Sequence, residues 1–113
     1  MGAYSKAEIN NRILGVQSGS YAGTGAYGSS SQSSLTFNFT PKIVIVNDTT
    51  NYNFFAIMTY GSSQSSIFPG TDSGEVMNIM LTWSGNSVSW YGQSAAQWQL
   101  NRSGKVYNWV AIG

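Results

Sequence analysis

The chain contains neither histidine nor cysteine. The two side chains that most often move protons or attack carbonyl carbons near neutral pH are therefore absent. Serine is plentiful, but none sits in G-x-S-x-G, and without an imidazole the ordinary Ser-His-acid triad cannot be assembled. The carboxylates are Glu8, Asp48, Asp72 and Glu75. Asp72 and Glu75 are the only pair close enough in sequence to suggest a glycosidase couple, and they otherwise read as solvated loop residues. Asp48 beside Asn47 reads as a turn residue capping its own backbone. With Asn51 and Asn53 it gathers too little charge for calcium, so no metal or cofactor is expected. Gly23-Thr24-Gly25-Ala26-Tyr27-Gly28 matches G-x-G-x-x-G. A Gly/Ser tract produces that match by chance, with no buried strand before it and no helix after it, so a dinucleotide site is rejected.

The remaining chemical resource is aromatic: four Trp, seven Tyr and five Phe. Aromatic faces stack on sugar rings, and Asn, Gln and Ser bond hydroxyls. Phe37, Phe39, Phe54, Trp83, Trp90 and Trp109 fall at strand positions where burial is the simpler reading. The better ligand candidates fall in loops: Tyr21, Tyr27, Tyr52, Tyr60 and Tyr91.

These side chains need a frame, and 113 residues suffice for one domain with one core. No disulfide or thiolate metal site can staple it. Charged residues make up 8% of the chain with a net charge of +1, against about 25% charged in an ordinary soluble domain. There is no basic patch to neutralise a phosphate backbone, so nucleic acid is excluded as a partner. A surface of this kind suits uncharged hydroxylated ligands or a packed oligomer, and little charge holds free copies apart. No apolar run reaches the ~18 residues of a membrane span. Met1 to Lys6 lack the basic start and apolar stretch of a signal peptide, so any export is expected to be passive, through cell lysis.

Along the chain, Ser5 to Val16 holds the one candidate helix. Ser5 and Glu8 form a capping box, and Ile9, Ile13 and Val16 make a single heptad-like stripe. Two readings stand: a frayed terminal segment, or the end of a longer coiled stalk. Residues 1–16 are therefore set apart from a domain over 17–113. Gln17 to Ser34 is dominated by Gly and Ser, and reads either as a flexible linker or, given Tyr21 and Tyr27, as an ordered strand and loop. Leu35, Phe37 and Phe39 alternate with polar residues as a half-buried strand up to Pro41. Ile43-Val44-Ile45-Val46 is a continuous β-branched run, expected as a fully buried strand. Asn47 to Asn53 is a loop, Phe54 to Tyr60 a strand, and Gly61 to Gly70 a Ser/Gln-rich loop.

Glu75 to Trp83 and the segment from Val88 flank Gly85-Asn86, a two-residue hairpin loop. Trp98 to Asn101 and Lys105 to Ile112 are expected as a last hairpin. Tyr27-Gly28-Ser29-Ser30-Ser31-Gln32 echoes Tyr60-Gly61-Ser62-Ser63-Gln64, which low complexity explains without a repeat fold. Six to eight strands at this spacing predict an all-β, small antiparallel β-sandwich, jelly-roll-like, with a short N-terminal helix.

Two stretches taken together carry a resemblance. One is Gly19-Ser20-Tyr21-Ala22-Gly23-Thr24-Gly25 followed by Leu35-Thr36-Phe37-Asn38-Phe39-Thr40-Pro41-Lys42-Ile43-Val44-Ile45-Val46. The other is the last strand, Gly104-Lys105-Val106-Tyr107-Asn108-Trp109-Val110-Ala111-Ile112-Gly113. Over residues 15 to 113 the chain resembles the C-terminal module of bacteriophage tail-fibre and minor tail (receptor-binding) proteins. The resemblance implies a β-sandwich at the tip of a trimeric fibre, with Pro41, Lys42, Tyr107 and Ala111 on scaffold strands. No ligand residue transfers, because the binding loops of such tips vary. It implies a non-enzymatic, viral structural adhesin on the virion, extracellular after host lysis, which binds host cell-surface glycan as a homotrimer. The rival expectations are a purely structural trimerising cap and a polysaccharide hydrolase acting through Asp72 and Glu75.

Overall fold

The fold is seen in a computed structural model that describes residues 15–50, 54–69 and 74–113. Eight strands follow in chain order: β1 (Val16–Ala22), β2 (Ser33–Thr36), β3 (Ile43–Asp48), β4 (Phe55–Thr59), β5 (Gln64–Phe68), β6 (Met77–Ser84), β7 (Ser87–Tyr91) and β8 (Val106–Ile112). A single 3₁₀ turn, Ala96–Gln99, precedes β8. All pairings are antiparallel. The spatial order is β1-β8-β3-β4-β5-β6-β7-β2. The expected antiparallel all-β architecture is present, and its layers are joined as one continuous sheet curled into a half-barrel.

The hydrophobic side chains line the concave side. Val44, Val46, Ala56, Met58, Ile67, Ile79, Val88 and Trp90 are all inaccessible to solvent. They come from alternate positions, because successive side chains of a strand point to opposite faces. Curling brings the far ends of the sheet together. Phe37 meets Trp109 edge-on at 5.3 Å, and Tyr21 meets Trp90 at 6.3 Å. The edges also touch directly, as the Asn38 amide donates to Gln17 Oε1 at 2.9 Å.

Several sequence expectations change. Residues 1–14 of the expected helix lie outside the described residues, and its last member, Val16, opens β1 instead. The Gly/Ser tract is ordered: its first part is β1, fully paired with β8 from Val16↔Ile112 to Ala22↔Val106. The β3 run is buried only at every second residue, not throughout. The Ser/Gln-rich stretch expected as a loop contains β5, which joins β4 to β6 through Ile67 and a row of serines. The expected last hairpin has one strand only. Its first arm is the 3₁₀ turn, closed by Leu100 in the left-handed conformation. The Gly85-Asn86 hairpin loop between β6 and β7 is as expected.

Candidate binding cleft

Between the two sheet edges the half-barrel stays open as a cleft of about 310 Å³. The β1 edge supplies Tyr21 and Ala22, and the β2 edge supplies Ser33 and Ser34. Trp90 reaches it from β7, and Asn101 closes it from behind. Thr24, Ala26, Ser31 and Gln32 come from the loop joining β1 to β2. The cleft thus has the half-buried Tyr21 ring at its floor, over the fully buried Trp90, and a rim of hydroxyls and amides. Its only ionisable group is the Tyr21 phenol.

Two buried amides hold the loop in place. Gln99 Oε1 accepts from the amides of Gly28 at 2.9 Å and Gly92 at 3.0 Å. Its Nε2 donates to Ser31 O at 2.8 Å and Ser33 Oγ at 3.2 Å. Every hydrogen-bonding site of that side chain is used, as burial requires. Asn101 Nδ2 donates to Thr24 Oγ1 and Ala26 O, while its Oδ1 accepts from Thr24 N at 3.0 Å. Trp90 Nε1 donates to Gln99 O at 2.8 Å. The αL residue Leu100 turns the chain between the two amides, so both reach the loop. Glycine is needed where backbones meet: a Cβ at Gly23 would lie 2.0 Å from Arg102 O, and one at Gly92 2.1 Å from Trp98 O.

Tyr21 donates its hydroxyl to Leu100 O at 2.7 Å and stacks on Tyr107 at 5.2 Å. Burial pushes its phenol far above the ordinary range, and the neighbouring Tyr107 and the Asp48 carboxylate push the same way. Burial also raises the Tyr107 phenol, opposed by the hydrogen bond that Arg102 N donates to it. Both phenols therefore stay neutral at physiological pH. Asp48 caps its own turn as expected, accepting from the Thr50 amide at 2.8 Å. Neither Asp48 nor Glu75 lines the cleft.

Of the four candidate tyrosines among the described residues, Tyr21 alone lines the cleft. Tyr27 is exposed on the same loop, one residue beyond Ala26. Tyr60 lies toward the other end of the strands, its amide bonded to Lys42 O and its ring 5.0 Å from Trp83. Tyr91 is half-buried opposite Met80. Tyr52 lies outside the described residues, as does Asp72. Sequence reasoning assigned Trp90 to the core, where it lies fully buried beneath the cleft, and overlooked Thr24, Gln99 and Asn101. The available signal was Gln99-Leu100-Asn101, two amides flanking an apolar residue in the stretch between two tryptophans.

Among the described residues no group of three or more acidic side chains is placed to hold a metal ion. No helix among them is long and apolar enough to cross a membrane. No family model matches the chain, and no curated protein or solved structure matches it either.

Proposed function

We propose that this chain is a non-enzymatic adhesion module whose seam cleft binds a neutral, hydroxyl-rich ligand, a glycan of a host cell surface. The observation that carries the reading is the cleft itself: the half-buried ring of the neutral Tyr21 forms its floor, backed by the fully buried Trp90, and hydroxyl and amide groups form its rim. Its volume lies at the small end of the 300–1,000 Å³ typical of ligand sites, which suits one or two sugar rings. Tyr21 contributes an aromatic surface and shape, since its hydroxyl is already committed to Leu100 O. The serines of β2 and the β1–β2 loop supply the hydrogen bonds. In keeping with the resemblance to tail-fibre tips, the module sits at the virion's fibre tip as a homotrimer. Weak single sites then gain by avidity.

The test is attachment of a multivalent fusion to host cells and to immobilised neutral polysaccharide. Ala26→Trp, on the exposed loop that lines the cleft, crowds it without touching the core and is expected to weaken attachment at least tenfold. Attachment should vary little between about 0.05 and 0.5 M salt, because no exposed charge pair is involved. No attachment by the multivalent form, or equal attachment by Ala26→Trp, would contradict the reading.

The structural-cap reading has its own support in the apolar outer surface of part of the sheet. It predicts that Ala26→Trp leaves attachment unchanged.

A further inference from the structure

The convex side of the sheet is divided. On β3 the outward residues are Ile43 and Ile45, each only half-buried. Ile45 sits between Val110 of β8 and Ile57 of β4, and Ile43 sits beside Ile112 of β8. The Ile112 row runs on to Val16 of β1. One step along, Phe55 pairs with Phe68 of β5, their rings stacked at 5.4 Å. Val16 is 66% exposed, Ile57 45%, Phe68 44% and Ile112 41%. The other half of the same convex side is polar toward its hairpin, with Thr82 opposite Ser89 and Ser84 opposite Ser87, and the half-buried Met80 and Tyr91 paired beside them.

This patch is roughly 20 Å by 14 Å from strand spacing and rise, and none of its residues is charged. Ser18, Ser20 and Asn108 border it as an uncharged polar rim. An apolar centre with a polar rim is interface anatomy. Its area is about a third of the ~800 Å² that each partner of a standard interface buries, leaving the rim to supply the rest.

We infer that this face docks against the same face of further copies of the chain, so the apolar half of the sheet turns toward the axis of a homo-oligomer. The inference rests on the self-association included in the proposed function, and adds the surface that carries it. Around a rotation axis the same residues of every copy converge, and an uncharged apolar patch meets its own copy with no like-charge penalty. A net charge of +1 leaves little long-range repulsion between chains. A lipid surface fits less well, because no cation among the described residues stands within the patch to meet headgroups.

The test is light scattering and sedimentation of the full chain across about 1–100 µM, the range where a weak homo-oligomer forms. The unaltered chain is expected at a multiple of its chain mass. Ile57→Lys combined with Ile112→Lys should weaken association at least tenfold, with native tryptophan fluorescence retained. Thr82→Lys combined with Ser89→Lys adds the same charge to the polar half and should leave association unchanged. An oligomer unaffected by the first pair overturns the face while leaving the self-association reading intact. A monomer at every concentration overturns both. A monomer whose Ile57→Lys, Ile112→Lys variant loses binding to neutral phosphatidylcholine vesicles assigns the face to lipid. One whose variant is only destabilised assigns it to the chain's own first residues. Both of these outcomes overturn the proposal.

Discussion

The β3–β4–β8 half of the sheet and the β6–β7–β2 half share one core and one curvature, yet they are held together differently. In the first half, apolar residues occupy both faces: Val44 and Val46 point in while Ile43 and Ile45 point out. In the second half the alternation is strict on β7, where Val88 and Trp90 point in and Ser87, Ser89 and Tyr91 point out. The polar half also depends on an internal hydrogen-bonding hub. Gln99 ties β2, the end of β7 and the seam loop together through four bonds. The difference shows that a continuous β-branched run can sit in a sheet with one face still uncovered. Such a run is normally buried on both sides, so the uncovered face calls for a partner, whereas alternating strands are complete when solvated.

The comparison can be broken most forcefully at the hub. Gln99→Leu keeps the volume but strands the Gly92 amide and the Ser31 carbonyl, while the Gly28 amide keeps its bond to Gly92 O. At about 1–3 kcal/mol for each buried group left unpaired, the expected loss is about 3–5 kcal/mol in urea unfolding. Hydrogen exchange should show β2 and β7 opening first while β3 and β8 stay protected. Uniform loosening of all eight strands would erase the distinction between the halves.

Met58→Ala, beneath the apolar half, should cost about 2–4 kcal/mol through the cavity it leaves. Here exchange should quicken on β3 and β4 and leave the seam loop closed. A smaller effect comes from alkaline pH. The folded-state phenols of Tyr21 and Tyr107 are raised, so their contribution is fully present below the unfolded phenol pKa of about 10 and is lost above it. Stability should fall by at most ~1.4 kcal/mol per pH unit for each phenol, and Tyr21→Phe should flatten that slope at a cost of about 1 kcal/mol. The smallest effect is expected on the solvated face: Thr82→Lys should change stability by less than ~0.5 kcal/mol.

Much of this fold was legible from residue patterns. The β6–β7 hairpin announced itself through Gly85-Asn86, and the alternation of Ser87 to Tyr91 fixed which side faced inward. The run Ile43 to Val46 was recognisable as a central strand, but its apparent full burial was not met within one chain. That outcome depends on tertiary neighbours and not on the run itself. β5 was hidden because Gln64, Ser65 and Ser66 have loop composition, and only Ile67 gives them a reason to pair. The ordering of the Gly/Ser tract was hidden for a different reason. Its fasteners, Gln99 and Asn101, lie some seventy positions away, beyond the reach of any local pattern. The cleft shares that history. Tyr21 was among the candidates and Trp90 was read correctly as core, whereas Thr24 and Asn101 became lining residues only when the sheet edges met.

The most direct test is a titration of the isotopically labelled chain with neutral oligosaccharides, followed by amide chemical shifts. The account predicts that shifts move at residues 22–34 and around Trp90 and Asn101, with Ile45 and Ile57 silent and the pattern the same at pH 6 and pH 8. Shifts confined to Tyr60 and Trp83, or spread over the apolar convex face, would contradict it.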